Sequence, residues 1–385
     1  MRLAGARQRA LAGFATFGLF WGVWGAALPA LQQRSRADDG ELGLALVAVA
    51  FGALVSMRAT GVLIDRLGPG LTPLTIAAFA VTCALPGSAT SPAALCVFAL
   101  LLGVTSGAVD VAINTDAVRE EVASERPLLN LAHACFSAAV VGASIATGLL
   151  RAVGAGPRVV FLIVAALVAV AALFVRPLSG EPSPPPATVE RPRFIARVPG
   201  WLVALGLVGA LAYLIENAWQ SWSAVHLERT LGASPAVGAV GPAVFAASMA
   251  AGRLLVDRLA RPGVERPVLI GGALIAALGS ALAALASAAP LALAALVLAG
   301  AGCSVCAPII VSLAGRGARE TERATVIGSL TTIMYLGFLV GPAAVGGVAA
   351  ATTLATALGF VAALSLMLAA LAALIRLDPR REHFG

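Results

Sequence analysis

The chain has 385 residues, of which 59% are hydrophobic and 12% charged, with a net charge of +7 and a mean hydropathy of +0.94. A soluble domain needs roughly a quarter of its residues charged to cover its surface, so a water-soluble architecture is excluded and lipid is the expected solvent. The positive balance does not point to nucleic acid: every basic residue is Arg, none is Lys, and the arginines fall in short loops between apolar runs, where they set membrane topology.

At about 30 residues per span and connection, the length accommodates about twelve membrane helices. The alternation of a membrane β-strand is absent, and abundant Gly and Ala suit close helix packing in lipid. The first six spans are predicted over residues 8–31, 42–60, 71–90, 92–118, 128–150 and 159–175. The first apolar stretch is too long for a signal peptide, and no small-residue cleavage site follows it, so it is read as a span. Residues 176–198 contain Glu181-Pro182-Ser183-Pro184-Pro185-Pro186, too proline-rich to be helical. Six more spans follow over residues 199–225, 236–256, 268–286, 291–313, 324–349 and 352–375. The expected organisation is an N-terminal six-helix bundle (1–176), a cytoplasmic linker (177–198) and a C-terminal six-helix bundle (199–385).

Of the 26 arginines, 21 fall on the side of the termini and the linker; Arg34, Arg36, Arg151, Arg158 and Arg229 fall opposite. The positive-inside rule then places both termini in the cytoplasm, in a multi-pass protein of the inner (cytoplasmic) membrane. Cys303 and Cys306 have C-x-x-C spacing, but both fall inside an apolar run without further ligands and read as small packing residues. No metal site and no cofactor are expected beyond a proton gradient.

One short stretch occurs twice. Gly61-Val62-Leu63-Ile64-Asp65-Arg66-Leu67-Gly68 and Arg253-Leu254-Leu255-Val256-Asp257-Arg258-Leu259 each carry an apolar run into Asp-Arg-Leu, half a chain apart. An Asp–Arg pair at a span end can accept bonds from a helix N-terminus and pair with a neighbouring acid. Asp116, near the cytoplasmic end of span 4, is the expected partner of Arg66. Gly61, Asp65, Arg66, Asp116, Asp257 and Arg258 therefore form a candidate conformational latch.

The first stretch resembles the loop 2–3 signature of the major facilitator superfamily, and the second its degenerate counterpart after span 8. The resemblance implies an all-α membrane protein: twelve transmembrane helices in two pseudo-symmetric six-helix bundles around a central cavity, alternately open to each side.

Only two acids fall deep within spans, Asp110 in span 4 and Glu216 in span 7, one in each half. Charge in a membrane helix is costly and asks for a reason. Burial penalises the charged form of a carboxyl, so such a group can take up and release a proton. Asp110 and Glu216 are the candidate proton-coupling residues, against the alternative of structural carboxyls satisfied by neighbouring helices. Asn114 lies one helical turn after Asp110. Asp110-Val111-Ala112-Ile113-Asn114 and Asn130-Leu131-Ala132-His133 are similar to segments of the fucose permease-like branch. That resemblance implies a proton role for Asp110, a supporting one for Asn114 and a site role for His133, the one histidine expected inside a span. Two positions depart from the branch: Gly25-Ala26-Ala27 lacks the acid of its first span, and Phe136 stands at a polar position. Fucose itself is therefore not expected.

In span 7, Glu216, Trp219 and Gln220 share one face. An acid beside an indole suits a polar ring or a cation, whereas Trp222 reads as an interfacial anchor. The candidate substrate-binding set is Asn114, His133, Glu216, Trp219, Gln220, Trp21 and Trp24. Gly341-Pro342 in span 11 reads as a hinge or packing device. Span 5 lacks the Gly-Pro bend of antiporters, and span 4 lacks the arginine of many multidrug–proton antiporters. The expected function is secondary active transport of a small polar solute, sugar-like or related, by a proton-coupled monomer. An exporter of drugs or natural products is the alternative, and a membrane sensor that moves nothing a further one. The spans offer no nucleophile–base set, so an enzyme is not expected.

Overall fold

A computed structural model describes residues 2–67, 71–126, 128–175, 198–259, 264–319 and 322–374. The described residues are helical throughout apart from short turns, and twelve segments are long and apolar enough to cross a membrane. Spans 1 to 6 are α1 (Arg2–Ser35), α2 (Asp39–Leu67), α3 (Leu71–Cys83), α4 (Pro92–Ser124), α5 (Leu129–Ala152) and α6 (Pro157–Phe174). Span 7 is α7 (Gly200–Val225), continued by a wider π turn at His226–Thr230. Span 8 is a short α8 (Pro235–Gly238) followed by α9 (Val240–Leu259), and span 9 is α10 (Glu265–Leu285). Span 10 is broken into α11 (Ala289–Cys303) and α12 (Cys306–Gly317); α13 (Arg323–Ala351) and α14 (Leu354–Leu374) complete the set. The break in span 10 falls between Cys303 and Cys306, which are both buried as free thiols. The proline-rich linker, apart from Val198, lies outside the described residues.

Local chemistry explains the helix starts. Asp38 and Glu41 form a reciprocal capping box before α2: Asp38 Oδ1 accepts the Glu41 N–H at 2.8 Å, and Glu41 Oε2 accepts the Asp38 N–H at 2.9 Å. Ser91 caps α4 through the Ala94 N–H, with Pro92 in the first turn. The Glu121 carboxylate accepts the N–H groups of Leu128 and Leu129 at 2.7 and 2.9 Å, so the end of α4 supplies the cap of α5.

Two compact units emerge. The first comprises residues 1–187 with 227–243, the second 188–226 with 244–385. The expected boundary in the linker is thus joined by a second exchange, in which the turn after α7 clusters with the N-terminal helices. Within the first unit α1 packs on α5, α2 on α4 and α3 on α6. Within the second, α7 packs on α13 and α10 on α14, while Ser248 of α9 donates to Val297 O of α11 at 2.5 Å. In span order these are the pairs 1–5, 3–6 and 2–4, used twice. Close approach depends on missing side chains: a Cβ on Gly103 would strike the backbone of Val49, and one on Gly337 the backbone of Ala210. Leucines and valines on the outer faces, among them Leu74, Val81, Leu162, Leu167 and Leu173, are exposed, as a lipid-facing surface requires.

Candidate functional site

The first unit holds Asp110 and Asn114 on α4, both partly buried. Asn114 Nδ2 donates to the Asp110 carbonyl at 2.9 Å and to its carboxylate Oδ1 at 3.1 Å. The acid is therefore held by the amide one turn later, as the spacing predicts. His133 on α5 is exposed and meets Phe14 of α1 edge-on, with ring centroids 5.0 Å apart. Trp21 is partly open, flanked by Phe17 and Phe20 at 6.0 and 5.6 Å. Trp24 corrects its assignment: at 4% exposure it lies in the aromatic core with Phe20 and Phe161. It packs the unit and does not line an open surface.

The second unit holds Glu216 on α7, buried, with Gln220 Nε2 donating to its Oε1 at 2.9 Å. Its other oxygen, Oε2, lies 3.9 Å from Arg253 on α9. Arg253 opens the second repeat stretch and has no role in the sequence reading. The shared face of Glu216, Trp219 and Gln220 divides. Trp219 is fully buried and its Nε1 donates to Ser280 Oγ of α10 at 2.8 Å, so it braces helices and does not wall a cavity. Trp222 is likewise fully buried, which corrects its reading as a headgroup anchor. Beside Glu216, Tyr213, Tyr335 and Phe338 form a cluster of three rings, with centroids 4.6 to 5.8 Å apart.

The latch departs from its expected wiring. Gly61 to Leu67 continues α2 as helix, and Ile64 packs with Leu71 and Ala112 to tie α2, α3 and α4 together. Arg66 is exposed. Asp116 accepts a hydrogen bond from Thr72 Oγ1 at 2.7 Å and stands 4.0 Å from Arg119, not against Arg66, so the brace joins α3 to α4. The side chains of Asp65, Asp257 and Arg258 lie outside the described residues.

Two features escape sequence reasoning. His226 is a buried histidine, because α7 runs on through the π turn; its Nε2 bonds the Ala283 carbonyl at 3.0 Å. Arg151 and Glu228, which look like ordinary loop charges, form a forked pair at 2.6 and 2.7 Å, with side chains only 7% and 11% exposed. Arg151 also donates to the Ala26 carbonyl at 2.7 Å, and Ser144 donates to Ala239 O at 2.8 Å. Arg229 pairs with Asp39, which accepts from Gln32 at 2.7 Å. These bonds fasten residues 227–243 to α1, α2 and α5. Among the described residues no three His, Cys, Asp or Glu side chains gather as a metal site. An apolar groove of about 700 Å³ between α3 and α6, lined by Leu74, Val81, Leu162 and Leu173, offers a polar solute no partner.

A family model for the Major Facilitator Superfamily matches residues 10–264 and 263–384. An uncharacterized MFS-type transporter of Yersinia pestis is 34% identical over 362 residues, covering 92% of this chain and 91% of that one. An uncharacterized transporter of Sinorhizobium fredii is 30% identical over 369 residues, covering 95% and 97%. Among solved structures, a mutant of the nucleoside transporter NupG superposes with TM-score 0.84 at 16% identity, over 96% of this chain and 99% of that one. An inward-facing, occupied bacterial homolog of the human lysosomal transporter Spinster gives 0.76 at 18%, over 97% and 95%. With an all-helical, twelve-span fold and matches along nearly its whole length, this multi-pass membrane chain belongs to the Major Facilitator Superfamily.

Proposed function

We propose that the protein is a proton-coupled secondary active transporter. It carries a small polar ring solute across the cytoplasmic membrane by alternating access, with both termini cytoplasmic. One observation carries this reading: each unit sets one carboxyl within a helix, Asp110 partly buried and Glu216 buried, and bonds it to the amide one turn later, Asp110 to Asn114 and Glu216 to Gln220. A side-chain amide that donates to a carboxylate can donate equally to the carbonyl oxygen of the protonated acid. Each pair therefore tolerates both protonation states without rearranging, which a coupling site requires. The segment that resembles the fucose permease-like branch contains Asp110 and Asn114, and the structural likeness to a nucleoside transporter also favours a polar ring.

The test is flux into proteoliposomes under an imposed pH gradient, with a panel of labelled sugars, nucleosides and organic acids. The wild type accumulates a solute and a protonophore abolishes the accumulation. Asp110→Asn loses accumulation but retains exchange across membranes preloaded with solute. Full gradient-driven accumulation by the variant contradicts the assignment.

A further inference from the structure

The ion pairs described differ in quality. Arg151 grips Glu228 with two bonds, and Arg316 approaches Glu265 to 2.6 Å. Arg253 meets Glu216 at only 3.9 Å, although the Glu216 side chain is 11% exposed and that of Arg253 is 47% exposed. A guanidinium carries five donors in a planar fork, so most of this one's donor capacity is not used by Glu216. One ring of the three-ring cluster lies close by: Tyr213 precedes Glu216 by one turn and is within electrostatic reach of both Glu216 and Arg253, and Tyr335 and Phe338 pack against it. All three rings are partly exposed.

Resting on the reading that Glu216 exchanges a proton, we propose that Arg253, Tyr213, Tyr335 and Phe338 form a subsite for a planar organic anion, an aromatic or heteroaromatic carboxylate, taken up together with that proton. While Glu216 is charged it neutralises Arg253 and repels a second carboxylate. A proton on Glu216 removes that repulsion and weakens the hold of Glu216 on the half-exposed guanidinium. The ligand carboxylate supplies the missing charge in forked geometry, and its ring lies against the aromatic cluster. Proton and anion then favour each other's binding reciprocally. Among the described residues, the other groups that face Glu216 are Gln220 on its own helix, Tyr213, and the thiols Cys303 and Cys306 of α11 and α12.

The test uses the purified full chain and compares benzoate, 4-hydroxybenzoate and nicotinate with their neutral amides, by thermal shift at about pH 5.5 and about pH 7.5. The acids raise the melting point and bind more tightly at the lower pH, by up to about tenfold per pH unit; the amides do not. Arg253→Gln abolishes the shift, Arg253→Lys weakens it, and Glu216→Gln binds the acids independently of pH. Stabilisation by amides and acids alike, no shift from any acid at either pH, or an unchanged shift in Arg253→Gln overturns the subsite. Where Arg253→Gln is not monodisperse, pH-dependent binding by Glu216→Gln overturns it instead. Failure here with proton-driven flux of another solute intact removes the anion subsite alone, whereas wild-type protein without proton-driven flux removes the functional reading.

Discussion

Replacing Arg151 with Met would leave the Glu228 carboxylate buried without its cation. The pair is forked, its side chains are 7% and 11% exposed, and the guanidinium also serves Ala26 O. Breaking a buried pair from one side costs about 3–5 kcal/mol, because the surviving charge has lost its solvent and its partner. For a unit of about 200 residues, 1 kcal/mol moves the melting point by about 2–4 °C, so Arg151→Met is expected to lower it by roughly 6 °C or more. Arg151→Met combined with Glu228→Leu removes both charges and should recover much of that loss. Arg229→Ala is the control: its side chain is 49% exposed, and breaking its pair with Asp39 should cost no more than about 1 kcal/mol. Thermal melts of the four combinations at Arg151 and Glu228 complete a double-mutant cycle. A coupling energy within about 0.5 kcal/mol of zero would refute the reasoning.

Two further outcomes follow from the packing. Trp219→Phe keeps an aromatic ring but removes the Nε1–Ser280 bond and leaves a void where the larger indole packed; a loss of about 2–4 kcal/mol in stability with solute affinity unchanged is expected. A large loss of affinity at unchanged stability would return Trp219 to the solute site. Gly337→Ala places a Cβ against the Ala210 backbone and should destabilise by about 1–3 kcal/mol or more. Gly347→Ala on the same helix meets nothing within 4 Å and should be neutral or stabilising by up to about 1 kcal/mol; equal effects of the two substitutions in a melt would contradict the packing of α7 on α13.

The sequence reveals what depends on local pattern. Apolar run lengths place all twelve spans, and the i, i+4 spacing puts Asn114 on Asp110 and Gln220 on Glu216. It hides what depends on how helices turn toward one another. Arg151 and Glu228 lie 77 positions apart at span ends, where a charge looks the same whether it faces water or a partner. Trp219 shares a nominal face with Glu216, yet a large indole reaches past that face to Ser280 of another helix. Asp116 has an arginine in plausible reach by sequence, but α3 brings Thr72 closer. Periodicity also assumes an uninterrupted helix, so the π turn that carries His226 inward and the break at Ser304 leave no signal in it.

The most direct test of proton coupling is the proton itself. Proteoliposomes loaded with a pH-sensitive dye are given the solute identified by flux, with no gradient imposed. Solute entry should move the lumenal pH in the wild type, and this response should vanish in Asp110→Asn and in Glu216→Gln while the proteins remain folded. Solute entry by the wild type with no accompanying pH change would contradict the account.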